Sequence, residues 1–480
     1  MVTATSFYWF DYETFGTSPA WDRPSQFAGL RTDMDLQPVG EACVFYCRLP
    51  GDYLPDPRAC RITGITPDEV QKLGSNEAQF IAKVRQQLGH EGTCSVGYNS
   101  IRFDDEFTRH TLFRNLLDPY EYEWKDGNSR WDMLDIVRLT RALRPGDIHW
   151  PLHADGRPSN RLEHLTAAND IEHSHAHDAL SDVEATVAVA RLIRAHQPRL
   201  FDYAFAHRGK QSVAELVNVR ARKPLILISG TIPASRSHLA IVMPVARHPV
   251  NQNGVIVLDL QHDPSELADL DADAIAAKVF TPAAKTTDIK RLGLRTIQIN
   301  KCPVLVPLST LRPEDADRLG IDMAAQLNHA TRLTDILDDA LVERLRHAMT
   351  RQWDEGPVDV DGSLYSGNFL SQADRQRLAR LHAASPSELS KFNGLFDDSR
   401  LDEMLQRYRA RNYPESLSKQ EKLIWQQDLR YRLTDDDQPW LTLSRFNTVM
   451  KETDWRSEEY ALRDSLRRYV DSLQLTGTAS

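Results

Sequence analysis

"TATSFYWFDYETFG", residues 3–16, is the stretch on which the reading of this chain turns. Its aromatic run, Phe7 to Phe10, predicts a strand headed for a core, because aromatic side chains suit a pleated, half-buried surface. The run then ends in two carboxylates, Asp11 and Glu13, on either side of Tyr12. Side chains alternate along a strand, so both acids project to the same side. Like charges held together raise one another's pKa or cost stability unless a cation or a proton joins them. The pair therefore predicts a bound cation or catalysis. A bare D-x-E also fits a polar turn with a solvated glutamate, so the reading depends on partners elsewhere in the chain.

Composition bounds where those partners lie. The chain has 480 residues, room for roughly two to four domains with real cores. With 41% hydrophobic and 26% charged residues it has the balance of a folded globular protein rather than a disordered one. Cys43, Cys47, Cys60, Cys94 and Cys302 include no C-x-x-C pair, which predicts reduced thiols and no cysteine zinc site. No basic region precedes the N-terminal apolar run, so no secretory signal is expected, and no run approaches membrane-spanning length. A soluble cytoplasmic protein without a membrane anchor is the expectation. The net charge of -10 does not advertise a nucleic-acid binder, yet a local basic groove can coexist with an acidic surface.

Along the chain, "SFYWFDY", "PSQFAGLRTD" and "EACVFYCRL" read as strands. Thr66, Pro67 and Glu69 then form a helix start with capping-box spacing. The helical "NEAQFIAKVRQQLG" leads to a strand, "CSVGYN", and a helix through "RFDDEFTRHTLFRNLL" that carries Asp104, for which Asn99 is a candidate cap. Strands recurring with helices indicate an α/β layer with functional residues near the strand ends. In "IEHSHAHDALSDVEATVAVARLIRAH" an apolar helical period (Ala179, Val183, Val187, Ala190) begins after the histidines. His177 and Asp182 there are close enough to border one site. His173, His175 and His177 admit a rival reading as a zinc site, against which stand the missing cysteine and the oxygen ligands of the other elements.

D-x-E at a strand end, Asp104 after a strand and H-x-x-x-x-D at a late helix form an ordered set. It resembles the DEDDh class of 3′-to-5′ exonucleases and, within it, the bacterial exodeoxyribonuclease I family. "DYETFGTSPAWDRPSQFA", "ITGITP", "GYNSIRFDDEFTR", "NSRWDMLD", "RLEHLT", "HAHDALSDVEAT", "INKCPVL", "TLRPEDADRLGI" and "YRARNYP" carry the likeness over nearly the full chain. The resemblance implies an α/β RNase H-like exonuclease domain with a mixed sheet over residues 1–197. An SH3-like β-barrel domain over 198–352 matches the strand-like "KPLILISG", "HLAIVMPVA", "GVIVLDL" and "RTIQINKCPVLVPL". A helical domain over 353–480 matches the arginine-rich helical spacing that follows.

Phosphodiester hydrolysis needs an in-line water, a stabilised leaving oxygen and neutralised phosphoryl charge, which two divalent ions roughly 4 Å apart can supply. Magnesium prefers carboxylate oxygen and water, with manganese a substitute, so Asp11, Glu13, Asp104 and Asp182 are the expected ligands. The class resemblance has Asp11 bridge two Mg2+ ions and places the ligand at Asp104 rather than the adjoining Asp105. His177 is the expected general base or orienting group for water. The resemblance sets Thr14 near the terminal 3′-hydroxyl and Phe15 against a base, although Phe15 also reads as core. Arg161 is a candidate phosphate contact. The arginines of "RYRARNYP" are candidates for tracking phosphate in a processivity clamp. The family's contact with the acidic tail of single-stranded-DNA-binding protein transfers to Arg144, Lys223 and Arg312. The expected function is magnesium-dependent 3′-to-5′ degradation of single-stranded DNA to deoxynucleoside 5′-monophosphates by a monomer, in DNA repair and recombination. A 3′-to-5′ exoribonuclease of the same class and a non-catalytic nucleic-acid adaptor are the alternatives.

Overall fold

The computed structural model describes residues 4–173, 177–281, 291–350, 359–367 and 369–475. Contacts group the chain into two units: Met1–Ser129 with His173–Glu184 and Glu355–Ser480, and Arg130–Glu172 with Ala185–Asp354. The three sequence blocks and these two units divide the chain differently, because the first unit gathers both ends of the chain. The boundary expected at 352/353 lies outside the described residues, as does His175 of the zinc reading.

In the first unit, β1 (Ser6–Thr14) lies between β2 (Pro24–Thr32) and β4 (Thr93–Gly97), with β3 (Cys43–Tyr46) beyond β2. β1 is antiparallel to β2, β2 is antiparallel to β3, and β1 is parallel to β4, so the sheet is mixed. Alternation sorts the aromatic run: Tyr8, Phe10 and Tyr12 pack with Phe27, Phe80, Ile81, Val84, Leu88 and Leu112 in one buried cluster. Phe7, Trp9, Asp11 and Glu13 take the other side. The parallel pairing ends at Trp9 opposite Val96, so the acidic end of β1 runs on past β4. The helix Asp104–Arg114 starts just after the carboxyl end of β4, which brings its first residue to the same end of the sheet. Thr66 caps its helix as expected, its hydroxyl accepting the Glu69 N–H at 3.1 Å. Asn99 does not cap the Asp104 helix: it holds a left-handed φ of 68° with no side-chain cap bond, and Phe103 is the residue before the first turn.

After a short strand β5 (Ser129–Asp132), the second unit builds a five-stranded antiparallel sheet in the order β10-β6-β7-β8-β9. Its strands are β6 (Leu225–Ile228), β7 (Leu239–Arg247), β8 (Gly254–Asp259), β9 (Leu294–Gln298) and β10 (Val304–Pro307). The run "RTIQINKCPVLVPL" is two strands, not one. Cys302 takes a φ of 44° before Pro303, which turns the chain so that β9 pairs with β8 while β10 pairs with β6. Leu225, Leu227, Ala240, Val242, Val255, Val257, Ile297 and Leu305 fill the core of this sheet.

The C-terminal stretch is helical, including Gln372–Ala383, Ser399–Asn412, Lys419–Thr434, Leu443–Glu452 and Tyr460–Ser472. Leu433, Phe446, Leu462, Leu466 and Tyr469 share a core with Leu49, Tyr53, Leu54, Cys60 and Val70 from the N-terminal segment. The arginines of "RYRARNYP" correct the clamp expectation. Arg411 grips Asp52 at 2.6 Å and Asp361 at 2.6 Å, Arg407 pairs with Asp359 at 2.7 Å, and Arg409 with Glu421 at 2.6 Å. Arg409 and Arg411 are buried, and all three are spent on internal carboxylates rather than free for phosphate.

Burial alone would raise Asp52, but Arg411 and Arg432 outweigh it and hold its pKa at about 2. Burial opposes Arg411 in the same way at Asp361, which ends well below the usual carboxylate range. Because these folded values lie below the unfolded value of about 3.9, the stabilisation is present above that pH and is lost as pH falls through the folded pKa. Urea unfolding of wild type and Asp52→Asn at pH 5 and pH 3 is expected to show a difference in midpoint that narrows at the lower value, the raised acids Asp11 and Glu13 acting equally in both proteins. An unchanged difference would contradict the assignment.

Candidate active site

The three acidic elements converge in the first unit. Ligand atoms of Glu13, His177 and Asp182 lie within 4.8 Å of one another. Asp104 is buried, and its Oδ1 accepts the backbone N–H of Tyr12 at 3.1 Å, which ties the helix start to the middle of D-x-E. Asp105 turns elsewhere, its Oδ1 accepting the Tyr122 hydroxyl at 3.4 Å. Geometry thus separates the two neighbouring acids that spacing could not.

Burial and mutual repulsion dominate the electrostatics of these acids. Burial, followed by the charges of Asp182, Asp104 and Asp178, pushes Glu13 up to about 9. Burial, then Asp104, Glu13 and Asp182, pushes Asp11 well above the carboxylate range. Burial also raises Asp182, against the pull of His173 and His177. Carboxylates crowded in this way stay ionised when a divalent cation sits among them, and hard oxygen donors suit one of the magnesium type. The donor set therefore fits the metal that the sequence implies.

The helix Ala179–His196 is started by Asp178, whose Oδ1 accepts the Ser181 N–H at 3.2 Å. Asp182 is thereby released from capping, and its carboxylate is left to face Glu13. His177 is exposed at the edge of the group and holds a left-handed φ of 70°. His173, which spacing grouped with a zinc site, is instead a partner of Asp182: its Nε2 lies 2.6 Å from Oδ1. Gln26 is a further contributor that the motif reading passed over. Its amide bonds the turn before Asp182, and its signal in the sequence was a polar residue inside the buried strand "PSQFAG".

Other expected contacts fare differently. Thr14 is buried and its hydroxyl donates to the Gly16 carbonyl at 2.7 Å. Phe15 is fully buried in the core that holds Leu54, Cys60 and Leu433, so no ring face is open to a base. Its burial fits the core reading: the strand ends at Thr14 with a register shift after Glu13, and the chain beyond it packs Phe15 inward. In the second unit, Arg161 is exposed before the helix Leu162–Ala168 and lies 3.6 Å from Glu163. Arg144 donates to Asp315 at 3.1 Å and to the Thr310 carbonyl at 2.8 Å. Arg312 and Lys223 are exposed, and the Arg312 charge, after burial, helps to lower the Arg144 pKa. No helix among the described residues is long and apolar enough to cross a membrane.

A strand-end acid pair facing acids from two helices defines a nuclease of the exonuclease class, and the family model described as Exonuclease matches residues 8–190. The Exonuclease I SH3-like domain matches residues 208–350, and the Exonuclease I C-terminal domain matches 358–473. Exodeoxyribonuclease I of Escherichia coli (strain K12) is 45% identical over 433 residues, 90% of each chain. Exonuclease I from Methylocaldum szegediense superposes with a TM-score of 0.92 at 46% identity, covering 98% of this chain and 99% of that one. A zinc-ion-bound form of an E. coli exonuclease I complex with single-stranded DNA superposes at 0.92 and 42% identity, covering 98% and 100%. The chain belongs to the exodeoxyribonuclease I family. It is a 3′-to-5′ exonuclease of single-stranded DNA with an exonuclease domain, an SH3-like domain and a helical C-terminal domain.

Proposed function

We propose that the hydrolysis takes place at Asp11, Glu13, Asp104, Asp182 and His177 and releases deoxynucleoside 5′-monophosphates. The convergence of Glu13, His177 and Asp182 within 4.8 Å, with Asp104 bonded to the Tyr12 amide between the two acids of D-x-E, carries this reading. The four carboxylates would hold two Mg2+ ions, with Mn2+ as substitute; such ions, when bound, neutralise phosphoryl charge and make water more acidic. His177, exposed beside the acids, accepts the proton of the attacking water through an imidazole nitrogen. Asp182 keeps its carboxylate in place through two bonds, from His173 Nε2 and from the His177 backbone N–H.

The substrate end is assigned to the neighbourhood of Thr14, which follows D-x-E directly, and Arg161 is assigned to phosphate. The domain limits near 197 and 352 belong to the same proposal. So does a monomeric, cytoplasmic enzyme of DNA repair whose SH3-like and C-terminal domains add DNA contacts and so raise processivity. The exposed Arg312, whose charge acts on Arg144, and the exposed Lys223 are assigned to the carboxylates of an acidic tail such as that of single-stranded-DNA-binding protein.

Matched 3′-labelled DNA and RNA single strands, incubated with magnesium or EDTA, test the reading with wild type, Asp182→Ala and His177→Ala. DNA alone is expected to be shortened from its 3′ end, with loss of activity in EDTA and in both variants. Equal or faster loss of RNA would move the substrate to the exoribonuclease alternative, and binding without cleavage would favour the adaptor.

A further inference from the structure

Gln26 stands directly opposite Glu13 in the β1–β2 pairing and opposite Tyr46 in the β2–β3 pairing. Residues opposite one another in a sheet share a face, so the Gln26 side chain leaves on the side of the acids. It is 2% exposed, and a buried amide must find partners for both its ends. Its Oε1 accepts the Ala179 N–H at 3.1 Å. Its Nε2 donates to the Tyr46 hydroxyl at 3.0 Å and to Asp178 Oδ2 at 3.4 Å. The other oxygen of Asp178 caps Ser181, so one glutamine holds both the capping residue and the first amide of the helix that carries Asp182.

The turn so held is an unusual one. His177, next to Asp178, has a φ of 70°, a conformation that a histidine keeps only where its surroundings enforce it. Asp178 turns one carboxylate oxygen to this position and the Ala179 N–H needs an acceptor there, so the residue that steadies the turn has to donate and to accept. A neutral amide meets both demands: it donates to a carboxylate and accepts from a main-chain N–H at once. An ionised glutamate could not donate, and a leucine would leave the Ala179 amide and Asp178 without these partners.

We infer that Gln26 is a positioning residue, which sets His177 and Asp182 against Glu13 by pinning the turn at Asp178–Ala179. The inference rests on the active-site reading given above. Gln26 touches none of the reacting atoms and acts through that turn alone. Small displacements of catalytic groups are costly, and a shift of about 1 Å costs on the order of a hundred-fold in rate.

The test compares wild type, Gln26→Leu, the same-shaped Gln26→Glu and Asp182→Ala. The measurements are kcat and KM on single-stranded DNA, Mn2+ binding by calorimetry and the melting temperature. Both Gln26 variants are expected to lose roughly ten- to a hundred-fold in kcat with KM changed less than about two-fold, and to bind Mn2+ several-fold more weakly. A folded Gln26 variant with wild-type kcat and Mn2+ affinity would overturn the role. So would a lowered melting temperature with unchanged kcat per folded molecule, since that marks packing alone. If Asp182→Ala is inactive while the Gln26 variants match wild type, only the positioning role falls. If Asp182→Ala keeps full activity, the active-site reading fails and takes the positioning role with it.

Discussion

Asp11→Asn is expected to lose roughly a thousand-fold or more in kcat while its fold, in EDTA at pH 8, is at least as stable as wild type. The two effects have one cause. Asp11 lies among Glu13, Asp104, Asp182 and Asp178, and burial together with those charges holds its pKa far above the carboxylate range. An amide of the same shape removes a charge that the folded protein tolerates poorly without a cation, so stability does not fall. It also removes the negative charge at the centre of the donor set. Metal assistance contributes several kcal/mol to reactions of this type, and about 1.4 kcal/mol is ten-fold in rate. Single-turnover kinetics and thermal melting of the same preparation check both halves. A variant that unfolds, or that cuts within ten-fold of wild type, would show that Asp11 is a structural acid.

The second large effect belongs to the buried ion network. Arg411→Ala is expected to destabilise the first unit by about 3–5 kcal/mol, the usual consequence of leaving a buried charge without its partner. Here two buried acids lose their nearest partner at once, because Arg411 bonds Asp52 at 2.6–3.1 Å and Asp361 at 2.6–3.0 Å, while the arginines that remain lie farther off, Arg432 at 3.5 Å from Asp52 and Arg407 at 3.3 Å from Asp361. The consequence reaches the acids of the active site. Asp361 lies in the turn Val360–Tyr365, and the Tyr365 hydroxyl bonds both Glu106 and Arg109 on the Asp104 helix. Urea titration of wild type, Arg411→Ala and the double variant Arg411→Ala with Asp52→Asn provides the check. The double variant is expected to recover part of the loss, since one of the two under-compensated charges is gone; no recovery would place the effect in packing rather than charge.

Much of the candidate site was legible because its signals are local. D-x-E at a strand end depends only on the two-residue alternation of side chains, and the spacing of His177 and Asp182 depends only on the start of a helix. The bonding of individual groups was not legible. Asp104 and Asp105 are adjacent in the chain, and only the direction of the helix start sends one to the Tyr12 amide and the other to Tyr122. His173 looked like one member of a histidine cluster, yet it pairs with Asp182 nine positions away.

By itself, the sequence determined the family, through the resemblance its ordered motifs carry, and the elements that bear those motifs, because periodicity and spacing are properties of a short stretch of backbone. The tertiary structure alone decided which charges are spent internally. Arg411 and Asp52 lie 359 positions apart, and nothing in "YRARNYP" distinguishes a phosphate-tracking arginine from one buried on two carboxylates. Phe15 and Gln26 carry the same lesson, since an aromatic ring or an amide takes its role from what covers it. Burial and charge pairing are set by contacts between distant segments, and these exist only once the chain has folded.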